Sequence, residues 1–292
     1  MQRFRNILLL HEQNIHGVAA LRRAATLAWR NDARLTVATV IGDFPRDVRR
    51  LSTTRTPSAA KELVVARRQA QLDQFIAPIR HGGIRLGTKV LVGTPVLEVI
   101  REVLRGQHDL VMMAAEGSRG PTDSLFGSTS MHLMRKCPCP VWVHKQQPDE
   151  RCERILAAVD PDPGDEVRNA LNPKIRDLAT WLAKQQQSEL HIVHVWSIES
   201  GRSYGLSDRV VKQCVDPLNH RVHFLQGDEG TVIAELARAA QVDLMVMGAV
   251  CRTRRPGFSI GSTTAAILQQ AECSVLTVKP QGFLMPVTLG VS

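Results

Sequence analysis

The chain is poor in aromatic side chains, which make up 4% of its 292 residues, with one tyrosine. That scarcity argues against an aromatic-rich binding surface. It leaves the core to Val, Leu, Ile and Ala, the packing of parallel α/β sheets. No apolar run approaches the roughly 20 residues of a membrane span, so a transmembrane helix is excluded. The opening MQRFRNILLLHEQN holds too short an apolar run, and no small-residue cleavage site, for a secretory signal. A cytoplasmic location is expected. The six cysteines, Cys137, Cys139, Cys152, Cys214, Cys251 and Cys273, show no CxxC spacing of a zinc framework. They read as buried thiols of a reducing compartment. Cys137-Pro138-Cys139 comes closest to the spacing of a metal or redox site.

Charge of one sign is in excess, and only in one half. Residues 1–150 hold 22 Lys and Arg against 13 Asp and Glu, whereas residues 151–292 hold 15 of each. The net +9 therefore lies wholly in the first half. Arginines favour bidentate contact with carboxylates and phosphates, and a basic half steers anionic partners. No aromatics interleave with these arginines as stacking platforms for single-stranded nucleic acid. A solvated basic face is the expected reading, with no nucleic-acid partner and no membrane partner.

What is present is a duplication. Residues 109–145, DLVMMAAEGSRGPTDSLFGSTSMHLMRKCPCPVWVHK, align without a gap on residues 243–279, DLMVMGAVCRTRRPGFSIGSTTAAILQQAECSVLTVK. Asp109 pairs with Asp243, Gly127 with Gly261, Cys139 with Cys273 and Lys145 with Lys279, all at one constant offset along the chain. One long repeat means two domains of one fold rather than a solenoid of short units. The expected domains are 1–148 and 149–292.

Apolar periodicity predicts strands over residues 6–11, 34–40, 84–92, 110–114 and 141–144 of the first half. Helices are expected over 15–30, 57–80 and from Pro95 to Leu104, the last with Thr94 as its cap. The second half repeats the order, with strands 155–159, 190–195, 222–226, 244–247 and 275–278. Its helices are expected near 165–184, 231–240 and 262–270. Alternation of strands and helices gives a doubly wound parallel sheet in each half. The second half is shortened between its second and third strands. Its stretch from Val195 to Gly227 answers a much longer one from Val40 to Gly93. SDRVVKQCVDP has room for only a short helix there.

The chemistry-bearing residues gather at strand ends. Gly248 closes the fourth strand of the second half, a loop with Gly257 follows, and Gly261-Ser262-Thr263 opens a helix. Helix starts present outward N–H groups and a favourable dipole to an anion. Arg252, Arg254 and Arg255 are within reach of phosphates. Asp160, at the end of the first strand, is placed for ribose hydroxyls, because doubly wound sheets bind ligands outside the carboxyl ends of their strands. His191 and His194, like His220 and His223, lie three apart on strands. They face opposite sides and cannot share a metal within either pair. No Ser/His/Asp order and no paired carboxylates announce catalysis, so a non-enzyme is expected.

These motifs resemble those of tandem members of the universal stress protein family. REVLRGQHDLVMM, HLMRKCPCPVWV and MGAVCRTRRPGFSIGSTTAAIL with SVLTVKP carry the likeness, which spans nearly all of residues 3–288. The resemblance implies two five-stranded sheets of order 3-2-1-4-5, related by a pseudo-two-fold axis through the fifth strands. It also implies an ATP or other adenine-nucleotide site of pattern G-x2-G-x9-G-(S/T), with an aspartate at the end of strand one. In the second half Gly248, Gly261 and Ser262 fit that pattern, Asp160 fits the aspartate, and Val195 fits the strand-two residue beside adenine. Cys251 stands where the second glycine belongs. In the first half Gly117 and Gly127 fit, Ala114 replaces the first glycine, and Glu12 stands near the aspartate. A Cβ where left-handed backbone is needed costs about 1–2 kcal/mol, or about tenfold in affinity. The resemblance thus implies stress tolerance or signalling, with the nucleotide in the second half. Rival readings are an apolar or lipid-like ligand under the shortened segment, slow ATPase activity, and polyanion binding by the first half. A homodimer beyond the internal pairing of halves is left open.

Overall fold

The computed structural model describes residues 4–12, 14, 16–42, 57–80, 82–116, 126–147, 151–160, 166–196, 220–249, 262–281 and 283. They fall into two compact units, Arg3–Ala114 and Ala115–Leu284. The predicted short helix over SDRVVKQCVDP lies outside the described residues.

The first unit contains β1 (Asn6–Leu10), α1 (Gly17–Asn31), β2 (Arg34–Ile41), α2 (Pro57–Ile76), a 3₁₀ turn (Ala77–Ile79), β3 (Arg85–Val92), α3 (Pro95–Gly106) and β4 (Leu110–Ala114). Its strands are parallel in the order β3-β2-β1-β4. β4 and most of β1 and β2 are buried, as near-continuous apolar strands of parallel sheets must be. Adjacent residues of β3 show that both faces are covered. Thr88 accepts a hydrogen bond from Gln69 of α2 at 2.8 Å, while Lys89 pairs with Glu102 of α3 at 2.6 Å. Successive strand residues point to opposite faces.

The second unit contains α4 (Ser128–Lys136), β5 (Val141–His144), β6 (Arg154–Ala158), α5 (Glu166–Gln186), β7 (Glu189–Trp196), β8 (Arg221–Gln226), α6 (Glu229–Ala239), β9 (Leu244–Gly248), α7 (Ser262–Gln270) and β10 (Ser274–Val278). The strands of the second half lie in the order β8-β7-β6-β9-β10, all parallel, which is 3-2-1-4-5. β5, from the first half, pairs antiparallel with β10, through Val143↔Val275, Trp142↔Leu276 and Val141↔Thr277. Replacing each residue by its equivalent in the repeat exchanges the outer pairs and leaves Trp142↔Leu276 in place. The pairing of the fifth strands is thus locally two-fold. The compact units reflect which strands pack together, whereas the duplication runs along the sequence.

Hydrogen bonds confirm the repeat residue by residue. Asp109 accepts the backbone N–H of Arg5 at 2.6 Å and of Asn6 at 3.0 Å. Asp243 accepts those of Glu153 at 2.6 Å and Arg154 at 2.9 Å. Each carboxylate ties the start of the first strand to the start of the fourth. Gly93 and Gly227, equivalent in the repeat, close the third strands at φ 140° and 147°, where a side chain is strained.

The helix caps differ between the halves. Thr94 occupies the N-cap of α3 but makes no side-chain capping bond, contrary to expectation. Asp228 caps α6, accepting the Thr231 N–H at 2.9 Å.

Two outcomes are expected. Asp243→Ala, which strands two N–H donors at the root of β6, should lower unfolding stability by about 1.5–3 kcal/mol in urea titrations. Asp228→Ala should cost about 1 kcal/mol. The backbone N–H and then the hydroxyl of Thr231 hold the Asp228 carboxyl below its ordinary value. Its contribution should therefore be present above the usual aspartate range and vanish as pH falls through the lowered value. An Asp228→Ala deficit that does not shrink on acidification would contradict this.

Candidate functional site

Asp160, Val195 and Gly248 come together at one end of the second half's sheet. Asp160 lies just past β6, Val195 is near the end of β7, and Gly248 closes β9. β6 pairs with β7 on one side and β9 on the other, so the strand order reverses at β6. That crevice is the ligand position of doubly wound sheets. The next helix, α7, begins at Ser262, with Thr263 in its first turn. Cys251, Gly257, Gly261 and the three arginines Arg252, Arg254 and Arg255 lie outside the described residues, as do the side chains of Ser262 and Thr263.

Local contacts set the geometry. The Asp160 backbone N–H donates to Asn172 Oδ1 at 3.0 Å. Asn172 is buried on α5 and orients the strand-end aspartate, a role no spacing in the sequence revealed. Its Nδ2 is buried with no hydrogen-bond partner among the described residues. Thr264 of α7 donates its hydroxyl to the Gly248 carbonyl at 3.5 Å, joining the helix start to the strand end. Gly248 has a packing reason as well: a Cβ there would meet Leu171 Cδ2 at 2.5 Å and Ile175 Cδ1 at 3.4 Å, both on α5.

The residues around the corresponding positions of the first half differ, and they are divided between the two units. Aligning the first strands of the two halves puts Glu12 against Asp160. Aligning the second strands puts Val40 against Val195. In the Arg3–Ala114 unit, His11 at the end of β1 stacks on Phe75 of α2, centroids 3.8 Å apart and planes 17° apart. Burial, then the Arg68 charge, pushes His11 below its ordinary value. Ala114, in the place of Gly248, is buried. In the other unit the Glu116 carboxylate lies over Gly127, where α4 begins, in the space a Cβ would take. Gly117 lies outside the described residues.

Several basic residues of the first half are committed to carboxylates. Lys89 and His108 hold the buried Glu102 at 2.6 and 3.2 Å. Arg101 pairs with Glu98 at 2.5 Å and Arg80 with Asp73 at 3.3 Å.

The histidines meet across strands rather than along them. His223 Nε2 lies 3.2 Å from His191 Nδ1, on neighbouring β8 and β7. Burial, then the His191 and Arg221 charges, lowers His223. His194 turns away, toward the Val159 carbonyl at 3.3 Å. Among the described residues no group of three or more His, Cys, Asp or Glu side chains is placed to hold a metal. Nor is any helix among them long and apolar enough to cross a membrane.

Gly248→Ala should destabilise the fold by about 1–3 kcal/mol through overpacking against Leu171. Leu171→Ala should rescue part of that loss in a double-mutant cycle. Simple additivity would show that the glycine is not held by this contact.

The profile of the Universal stress protein family matches residues 3–145 and 215–279. Asp160 and Val195 lie between the matched segments, and it is the correspondence of the first and second strands of the two halves that aligns them with Glu12 and Val40. Universal stress protein E of Escherichia coli (strain K12) is 27% identical over 310 residues, covering 99% of this chain and 98% of that protein. Universal stress protein E of Photorhabdus laumondii is 26% identical, covering 98% of each. A putative universal stress protein from Pseudomonas aeruginosa UCBPP-PA14 shares the fold, with TM-score 0.73 and 22% identity over 95% of this chain and 94% of that one. A universal stress protein from Archaeoglobus fulgidus DSM 4304 aligns with TM-score 0.69 and 18% identity over 94% and 98%.

Proposed function

This chain belongs to the universal stress protein family, and we propose that it serves stress tolerance or signalling by binding ATP or another adenine nucleotide in its second half. The observation that carries this reading is the meeting of Asp160, Val195 and Gly248 at the point where strand order reverses, with α7 starting opposite. In this reading the Asp160 carboxylate receives ribose hydroxyls and the Val195 backbone lies beside adenine. The phosphates rest on the backbone of Gly261, Ser262 and Thr263, where helix-start N–H groups and dipole favour negative charge. Cys251 puts a Cβ where the family pattern has glycine and so weakens the site. The modules are 1–148 and 149–292, and the first acts as structural partner. The His11–Phe75 stack, Ala114 and Glu116 favour that division. The protein is read as a cytoplasmic binding protein rather than an enzyme.

A second reading has one observation in its favour. The stretch from Val195 to Gly227 is shorter than its counterpart from Val40 to Gly93, and the thinner cover this leaves over the second sheet suits an apolar ligand.

Calorimetry with ATP, ADP and AMP separates the two. Nucleotide should bind with a stoichiometry of one, Asp160→Ala should weaken it, and Cys251→Gly should tighten it by about tenfold. Unchanged affinity in Asp160→Ala would refute the site. No binding by either the native chain or Cys251→Gly would leave the apolar reading, checked by mass spectrometry for a co-purifying lipid.

A further inference from the structure

We propose that Cys137 and Cys139 are a redox-active dithiol that a hydroperoxide closes to an intramolecular disulfide. Both lie in the turn between α4 and β5, and their sulfurs are 3.5 Å apart, within thiol hydrogen-bond reach. Spacing in the sequence marked the pair. The structure adds proximity and a buried cation. Lys279, at the end of β10, is buried, and its Nζ donates to the carbonyls of Met134 and Arg135 in the last turn of α4. The negative end of the helix dipole holds the ammonium there. Burial pushes the Cys137 thiol up, but the bonds to Cys139 and then the Lys279 charge bring it below its ordinary value. A thiolate is the form that reacts with peroxide. The same ammonium disfavours a metal cation between the sulfurs.

The second half supplies a natural control. Cys273 occupies the place of Cys139 in the repeat, but Ala271 stands where Cys137 would be. Burial pushes the Cys273 thiol up to about 12. A lysine charge lies by each thiol, Lys279 by Cys137 and Lys145 by Cys273, so the difference between the repeats is the partner sulfur.

The reaction balances with hydrogen peroxide or an organic hydroperoxide as the oxidant. Cys139 is the slightly exposed member, at 9% against 0% for Cys137. The proton of Cys139 passes to the Cys137 thiolate across their 3.5 Å contact, and the Cys139 thiolate so formed attacks a peroxide oxygen. The O–O bond breaks, the leaving oxygen takes a proton from water, and Cys139 becomes a sulfenic acid. Cys137 sulfur then attacks Cys139 sulfur. The S–S bond forms as the S–OH bond breaks, and the departing hydroxide takes the Cys137 proton as water. The two sulfurs together lose two electrons, and the hydroperoxide is reduced to water and an alcohol, or to two waters.

The test uses the full, reduced chain exposed to hydrogen peroxide, then alkylated and digested with trypsin. Cleavage after Lys136 and Lys145 releases both cysteines in one peptide, CPCPVWVHK. That peptide should lose two hydrogens, resist alkylation and recover with dithiothreitol. It should do so at least about tenfold faster than the Cys273 thiol reacts, since reactivity follows thiolate character. Lys279→Gln should slow closure, and Cys137→Ser should halt Cys139 at the sulfenic acid. Closure no faster than Cys273 oxidation, or separate over-oxidation of the two sulfurs without a disulfide, would overturn the proposal on the native chain alone.

Discussion

The antiparallel pairing of β5 with β10 is the constraint on which the second unit depends. A parallel sheet five strands wide ends in an exposed edge of unpaired N–H and C=O groups, open to another strand. Here the fifth strand of each half satisfies that of the other. Trp142, almost wholly buried, sits on the local two-fold opposite Leu276. The ends of the pair are tied in matching ways. Lys145 donates to the Glu272 carbonyl, and Lys279 to the carbonyls of Met134 and Arg135. The two lysines are equivalent in the repeat, and each reaches the segment beyond its partner strand. A duplication that closes its own edges has reason to keep both copies of β5 even where ligand loops diverge.

The two copies share residues that set the backbone and differ in the side chains packed around them. The strand-start aspartates, the positive-φ glycines after the third strands and the left-handed residues at the helix ends persist in both copies. Gln107 and Gln241 lie at φ 52° and 49°, the first as the C-cap of α3 and the second one residue past the C-cap of α6, and Asp32 and Gln187 lie at 49° and 57°. These positions hold backbone geometry common to both sheets. Around the strand ends the copies differ. The buried Glu102 and His108, joined by the exposed Lys89, have Leu236 and Val242 at their places in the second half. His11 stacks on Phe75 in one copy, while the backbone of Asp160 leans on Asn172 in the other.

Strands and helices were legible in the sequence because apolar runs and period report burial, and the gapless repeat let each half check its twin. The predicted second-half order 3-2-1-4-5 is present, and the fifth strands expected to meet at a pseudo-two-fold axis pair antiparallel. Contacts that depend on register were not legible. The three-residue spacing of His191 from His194 correctly separated them, but it gave no sign that His223 would face His191 from the next strand. Asn172 carried no signal in the sequence that it would meet the Asp160 backbone. Gly248 read as a phosphate-loop glycine, and the packing of Leu171 against it depends on how α5 crosses the sheet. Thr94 had the composition of a cap without making its bond. In each case residue type was plain and the neighbour across space was not.

The central claim is that the second half, and not the first, carries the ligand crevice. Hydrogen exchange with and without saturating ATP tests it most directly. The account predicts added protection in residues 158–172 and 244–264, with none around Glu12 or Gly127. Protection in the first half, or an exchange pattern that ATP leaves unchanged throughout, would contradict it.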